Sequence, residues 1–86
     1  GIALSVQGNP FQDRLMFTVS ADGAERAQVS LHSLAGDPVV SQIHQLQAGE
    51  NTLAIEHLSG MPTGSYLLRV SFLDSGRQAT AKLVKQ

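Results

Sequence analysis

The 86-residue sequence predicts an all-β domain, an antiparallel sandwich of about seven short strands. Turn signals recur at nearly regular intervals of roughly 8–12 residues, as strands in a sandwich or barrel require. The segments between them alternate apolar and polar residues with period two. No segment holds the i, i+3, i+4, i+7 spacing of an amphipathic helix for three turns.

The turns are Gly8-Asn9-Pro10, Asp22-Gly23, Ala35-Gly36-Asp37-Pro38, Ala48-Gly49, Ser59 to Gly64 and Asp74-Ser75-Gly76. Glycine reaches positive φ without steric cost, while Asp and Asn tolerate it and bond to their own backbone. A first strand is expected over Ile2–Val6. In the second, Leu15, Phe17 and Val19 share one face, with Met16 and Thr18 opposite. Ala27, Val29 and Leu31 then alternate with Gln28, Ser30 and His32. Residues 39–46 are ambiguous, because Val39 and Ile43 favour one phase while Val40 and Leu46 favour the other; one bulged residue would reconcile them. Leu53 and Ile55 mark the fifth strand, and Tyr66, Leu68, Val70 and Phe72 form the strongest apolar stripe. The closing strand runs over Arg77–Lys85, with Ala79, Ala81 and Leu83 in phase.

A single seven-stranded sheet would expose a whole apolar face, so two sheets must pack together. An immunoglobulin-like topology fits, without the Cys–Trp–Cys pin of antibody domains, since the chain has neither Cys nor Trp. Leu31, Leu53, Ile55, Tyr66, Leu68, Val70, Phe72 and Leu83 are the expected core. Tyr66, opening the most apolar strand, is placed to bury its ring and bond its hydroxyl to a neighbouring loop.

Composition narrows the function classes. A single small domain of this length buries only about 60–65% of the surface of its unfolded chain, so connections must be short. Apolar residues make up 42% and charged residues 15%, with a formal net charge of −1. Six basic and seven acidic residues are spread along the chain, which argues against nucleic acid and polybasic membrane contact. Apolar runs stop at three residues, far below the roughly 20 of a membrane helix, so direct membrane insertion is not expected. Without cysteine there is no disulfide framework and no thiolate nucleophile. Gly1 is neither an initiator Met nor the start of a basic-then-apolar leader, so the chain reads as a fragment of a larger precursor.

Candidates for chemistry are few. His32, His44 and His57 lack the short ligand spacing of a structural zinc site. Asp22, Asp37 and Asp74 stand singly in turns, whereas calcium needs several oxygens from one dense loop. No serine lies in a G-x-S-x-G context, and Gly60–Gly64 lacks the Lys-Ser/Thr of a phosphate loop. No catalytic, metal or cofactor-binding residue is therefore assigned, and no enzyme activity is expected. A carbohydrate-binding module or an adhesive or structural spacer of a cell-surface protein are rival readings for such a sandwich. The lack of Trp, and a lone Tyr66 in phase with the core, weigh against the sugar.

The order of motifs is more informative than any one of them. Asn9-Pro10 near the start is followed by Val29-Ser30-Leu31-His32-Ser33-Leu34-Ala35-Gly36-Asp37-Pro38-Val39, then by Leu58-Ser59-Gly60-Met61-Pro62-Thr63-Gly64-Ser65-Tyr66-Leu67-Leu68-Arg69-Val70, and the chain closes on Lys82-Leu83-Val84-Lys85. This series, from about Val6 to Gln86, resembles the C-terminal sorting domain of proteins exported by the type IX (Por) secretion system of Bacteroidota. Ser33 departs from the pattern where Asp or Asn is usual, as does Asp37 where a basic residue is frequent after the turn Gly. The resemblance implies a single sorting domain over residues 1–86 that acts as an address. It implies a cargo N-terminal to it in the same precursor, passage through the periplasm, and recognition of the folded domain by an outer-membrane translocon or shuttle. A sortase then cuts before the domain, and the cargo is attached to the cell surface or released. The family positions expected to be read are Asn9, Pro10, Gly36, Gly64, Tyr66, Lys82, Leu83, Val84 and Lys85. The closing strand is the expected recognition element, because its edge offers unpaired backbone groups. Lys82 and Lys85 are expected to guard it against indiscriminate pairing, the alternative being that both are solvated edge charges only.

Overall fold

The computed structural model describes residues 3–86. Seven strands form in chain order: β1 (Leu4–Gln7), β2 (Leu15–Ala21), β3 (Glu25–Ser33), β4 (Pro38–Leu46), β5 (Gly49–Ile55), β6 (Gly64–Phe72) and β7 (Gln78–Lys85). They pair antiparallel into a three-stranded sheet, β1-β2-β5, and a four-stranded sheet, β4-β3-β6-β7, with no helix among the described residues. This is an all-β sandwich compatible with the immunoglobulin-like arrangement. The expected start of the first strand at Ile2 lies outside the described residues. The closing strand begins one residue later than expected, because the Arg77 carbonyl accepts the Phe72 amide at 2.8 Å in the turn.

Period-two alternation puts one apolar face of each sheet inward. Phe17, Leu15, Val19 and Ile55 from one sheet meet Leu31, Val29, Leu68, Val70, Phe72 and Leu83 from the other. Burying one such side chain is worth about 1.5–3 kcal/mol, so these strands hold the fold. Seven of the eight expected core residues are buried; Leu53, opposite Phe17 on edge strand β5, is half-buried and packs against the core. Two core members come from outside the strands, Phe11 and Leu58, and Leu46 joins them from the end of β4.

In β4 the phase of Val40 and Leu46 prevails. A bulge does occur, but at the strand's start, where Leu31 faces Val40 and His32 faces Pro38, leaving Val39 over. From Val40 to Leu46 the register is unbroken, so Ile43 faces outward at 62% exposure, while Val39, at the bulge, is 47% exposed.

The chain changes sheets at two places that matter for function. After β1, Gly8-Asn9-Pro10, with a cis Asn9–Pro10 peptide, carries the chain from the three-stranded sheet to the four-stranded one. There Phe11 pairs in parallel with Lys85 of β7. Between β4 and β5 the chain crosses back, held by Asn51, whose Oδ1 accepts the Gln47 amide at 2.9 Å while its Nδ2 donates to the Gln47 carbonyl at 2.9 Å.

Candidate functional site

The sequence-predicted recognition positions come together at one end of the four-stranded sheet. The register of β6 on β7 places Gly64 opposite Lys85, and Tyr66 opposite Leu83. Ser33, at the mouth of the hairpin that carries Gly36, is opposite Tyr66 on the other side. Asn9 and Pro10 arrive from the far end of the sequence. The Asn9 Oδ1 accepts the Val84 amide at 3.0 Å, the Phe11 amide donates to the Val84 carbonyl at 3.0 Å, and the Gln86 amide donates to the Phe11 carbonyl at 2.9 Å. Two motifs 75 residues apart are thus one hydrogen-bonded unit.

Beneath this join, Tyr66 is 5% exposed and its hydroxyl donates to the Pro62 carbonyl at 2.6 Å, as its position led us to expect. A Tyr hydroxyl reaching back a few residues at the start of a strand closes a sandwich corner in the same way elsewhere. The Phe11 ring meets Tyr66 edge-on, 6.4 Å between centroids at 61°, a favourable arrangement for ring quadrupoles. Phe11 was not among the expected positions, and only its place after Asn-Pro hinted at it. Gly64 and Gly36 sit at φ 141° and 96°, values that side-chain-bearing residues rarely adopt. The Gly36 amide closes its hairpin on the Ser33 carbonyl at 2.9 Å.

The closing strand needs correction in two respects. Lys85 is not a solvated edge charge: it is buried at 5% exposure, because it shares the inward phase of Leu83. Its stem covers the core while the Nζ donates to the Gln86 main-chain oxygen at 2.8 Å. Nor is the whole edge open. The outward backbone groups of Val84 and the Gln86 amide are already bonded to Asn9 and Phe11, which leaves Gln78, Thr80 and Lys82 as the open stretch. Tyr66 and Leu83 are core, so among the predicted positions the side chains that face solvent are those of Asn9, Pro10, Lys82 and Val84. At the opposite end of β7, Arg77 is tied to Asp22 at 3.0 Å, and this hydrogen bond holds the Asp22 carboxyl below its ordinary range.

Among the described residues no three His, Cys, Asp or Glu side chains gather to hold a metal. His32 and His44 bond within their own strands, to Ser30 Oγ at 2.8 Å and Gln42 Oε1 at 2.9 Å. The joined ends form one hydrogen-bonded surface feature.

The family model for the secretion system C-terminal sorting domain matches residues 5–86, nearly the whole chain. The chain belongs to that family. As a type IX sorting domain, it is a member of a non-catalytic family of export signals, which implies dealings with the type IX machinery and export across the outer membrane to the cell surface or beyond. Among solved structures, a β-glucosidase from Listeria innocua in complex with glucose is similar at 20% identity and a TM-score of 0.54. A β-glucosidase from Kluyveromyces marxianus is similar at 14% identity and a TM-score of 0.51. These likenesses cover 99% and 100% of the sorting domain but only 16% and 15% of the two enzymes, and they are likenesses of fold alone. No curated protein matches the chain.

Proposed function

We propose that this domain is the folded address of a longer precursor, read at the outer membrane by a translocon or shuttle protein of the type IX system. The cargo lies N-terminal to it, a sortase separates the two after periplasmic transit, and the cargo is attached to the surface or released. The observation that carries this reading is the family match over residues 5–86, in a chain whose family motifs gather at one end of the sandwich. A recognition signal of this kind needs fixed geometry, and the Asn9–Phe11 join supplies it by holding Val84 and Gln86 in the sheet. Asn9, Pro10, Lys82 and Val84 are the side chains proposed to be touched; Gly36, Gly64, Tyr66, Leu83 and Lys85 are proposed to hold the end in shape.

The test is export of a passenger. With a signal peptide at its N-terminus and residues 1–86 at its C-terminus, a folded reporter is expected at the surface or in the medium of a host with the type IX system. A reporter that stays in the periplasm of that host contradicts the sorting reading. The reading that then takes its place is a structural or adhesive spacer module of a cell-surface protein.

A further inference from the structure

The outward positions of the four-stranded sheet carry Arg26, Arg69, Lys82 and His32 and, among the described residues, no Asp or Glu. The outer face of the other sheet is the reverse: Glu50 lies on it, Glu56 follows directly, and its strands bear no Lys or Arg. The cations themselves differ between these places. Arg14 pairs with Glu56 at 3.3 Å and Arg77 with Asp22 at 3.0 Å, whereas Arg69 makes no ion pair or side-chain hydrogen bond among the described residues.

Arg69 sits in the second strand from the edge, with Ser30 beside it on β3 and Thr80 on β7. It shares a shallow depression of about 440 Å³ with Ser30, His32, Pro38, Ser41, Ser71 and Gln78. Gln28 lies there too, its Nε2 donating to Ser41 Oγ at 2.9 Å, and Ser30 Oγ is bonded to His32. The Ser41 and Ser71 hydroxyls and the Gln78 amide are therefore the donors left. Ser30 is 8% exposed, low in that wall, and Lys82 stands diagonally across the β6–β7 pair, within reach of a long side chain. An unpaired guanidinium among neutral donors, on a face without acids, is a site built for an oxyanion. A planar fork matches a carboxylate in two parallel bonds.

We infer that the outer face of the β4-β3-β6-β7 sheet, centred on Arg69, docks a carboxylate-bearing protein surface. The identity of that partner, an acidic side chain on a component of the export machinery, rests on the sorting reading; the oxyanion site itself does not. Complementary charge of this kind serves orientation and encounter rate, fixing which side of the sandwich is presented.

The test has two arms. In a ¹H–¹⁵N titration of the 86-residue chain, an N-acetylated tetraglutamate peptide is expected to shift the Arg69 Nε–Hε signal and the Ser30 and Ser71 amides saturably. Arg69→Gln is expected to weaken this by roughly tenfold or more. Arg14→Gln, the same change in net charge just before β2 of the opposite sheet, is expected to leave it unchanged. No saturable shift, or equal loss in both variants, overturns the site. Inorganic phosphate saturating the same signals while the peptide does not overturns the carboxylate. In the passenger assay, a folded Arg69→Gln fusion that stays periplasmic while the unaltered one is exported supports the docking role. Its normal export overturns that role and leaves the sorting reading intact. Failure of the unaltered fusion sinks the sorting reading and with it this partner, and the titration decides the oxyanion site independently.

Discussion

The two edges of the four-stranded sheet are finished in different ways. β7 is closed by its own chain: Asn9 and Phe11 cover Val84 and Gln86 at one end, and Asp22 holds Arg77 at the other. β4 has no such cover. It runs nine residues from Pro38 to Leu46 with no Asp, Glu, Lys or Arg, and leaves Ile43 62% exposed. Edge strands are normally blunted by charges, proline, bulges or cover, because open backbone groups recruit other strands. On β4 the blunting devices are Pro38 and the bulge at Val39, both at one end of the strand. The contrast teaches that the effort of this small fold is concentrated on fixing its last strand, the element that carries the closing family motif.

The largest expected difference is between an inward residue of β7 and an outward residue of β4. Leu83→Ala, which empties a position 1% exposed under β7, is expected to cost about 2–5 kcal/mol in chemical denaturation. Ile43→Thr on β4 keeps a β-branched side chain at an exposed site and is expected to change stability by less than about 0.5 kcal/mol. A comparable loss at Ile43 would mean that the β4 edge is covered after all.

A smaller effect separates the two closing lysines. Lys85→Ala removes a buried stem and is expected to cost about 1–3 kcal/mol, while Lys85→Met, which keeps the stem, recovers most of it. Lys82→Ala, on the exposed face, is expected to stay within about 0.5 kcal/mol. Equal costs at the two positions would return Lys85 to the solvated role.

The smallest effect is at the far end of β7. The Arg77 hydrogen bond lowers the Asp22 carboxyl in the folded state relative to its ordinary 3.8, so its favourable contribution is present above that value. It is lost as pH falls through the lowered folded value, when the carboxyl protonates and the pair breaks. Arg77→Gln is expected to raise the Asp22 pKa toward 3.8 in a carbon-detected NMR titration, with almost no change in stability because the pair is exposed. An unmoved pKa would mean that Arg77 does not hold that end.

What could be read beforehand follows from how local each signal is. Strands β2, β3 and β6 were legible because Leu15–Val19, Ala27–Leu31 and Tyr66–Phe72 each alternate cleanly, and phase decides burial. In β4 the apolar residues split between phases, so only pairing with β3 could choose between them. Lys85 misled because lysine is normally exposed, yet in the last strand position its phase follows Leu83. The motif positions were nameable one by one, but their junction was not: Asn9 and Val84 meet only once the chain has changed sheets. Phe11 and Leu58 are core residues in connections, where no period exists to betray them.

Asn9 and Phe11 lock the last strand, joining the two ends of the described chain into one feature. Site-resolved hydrogen exchange of the 86-residue chain tests it most directly. The Val84 and Gln86 amides are expected to be protected, while the Thr80 and Lys82 amides on the same edge, and Ser41 and Ile43 on β4, exchange rapidly. Asn9→Ala should release Val84 and leave Leu83, bonded to β6, protected. If Val84 and Gln86 exchange as fast as Lys82 in the unaltered chain, the two ends are not joined and the terminal strand is an open edge.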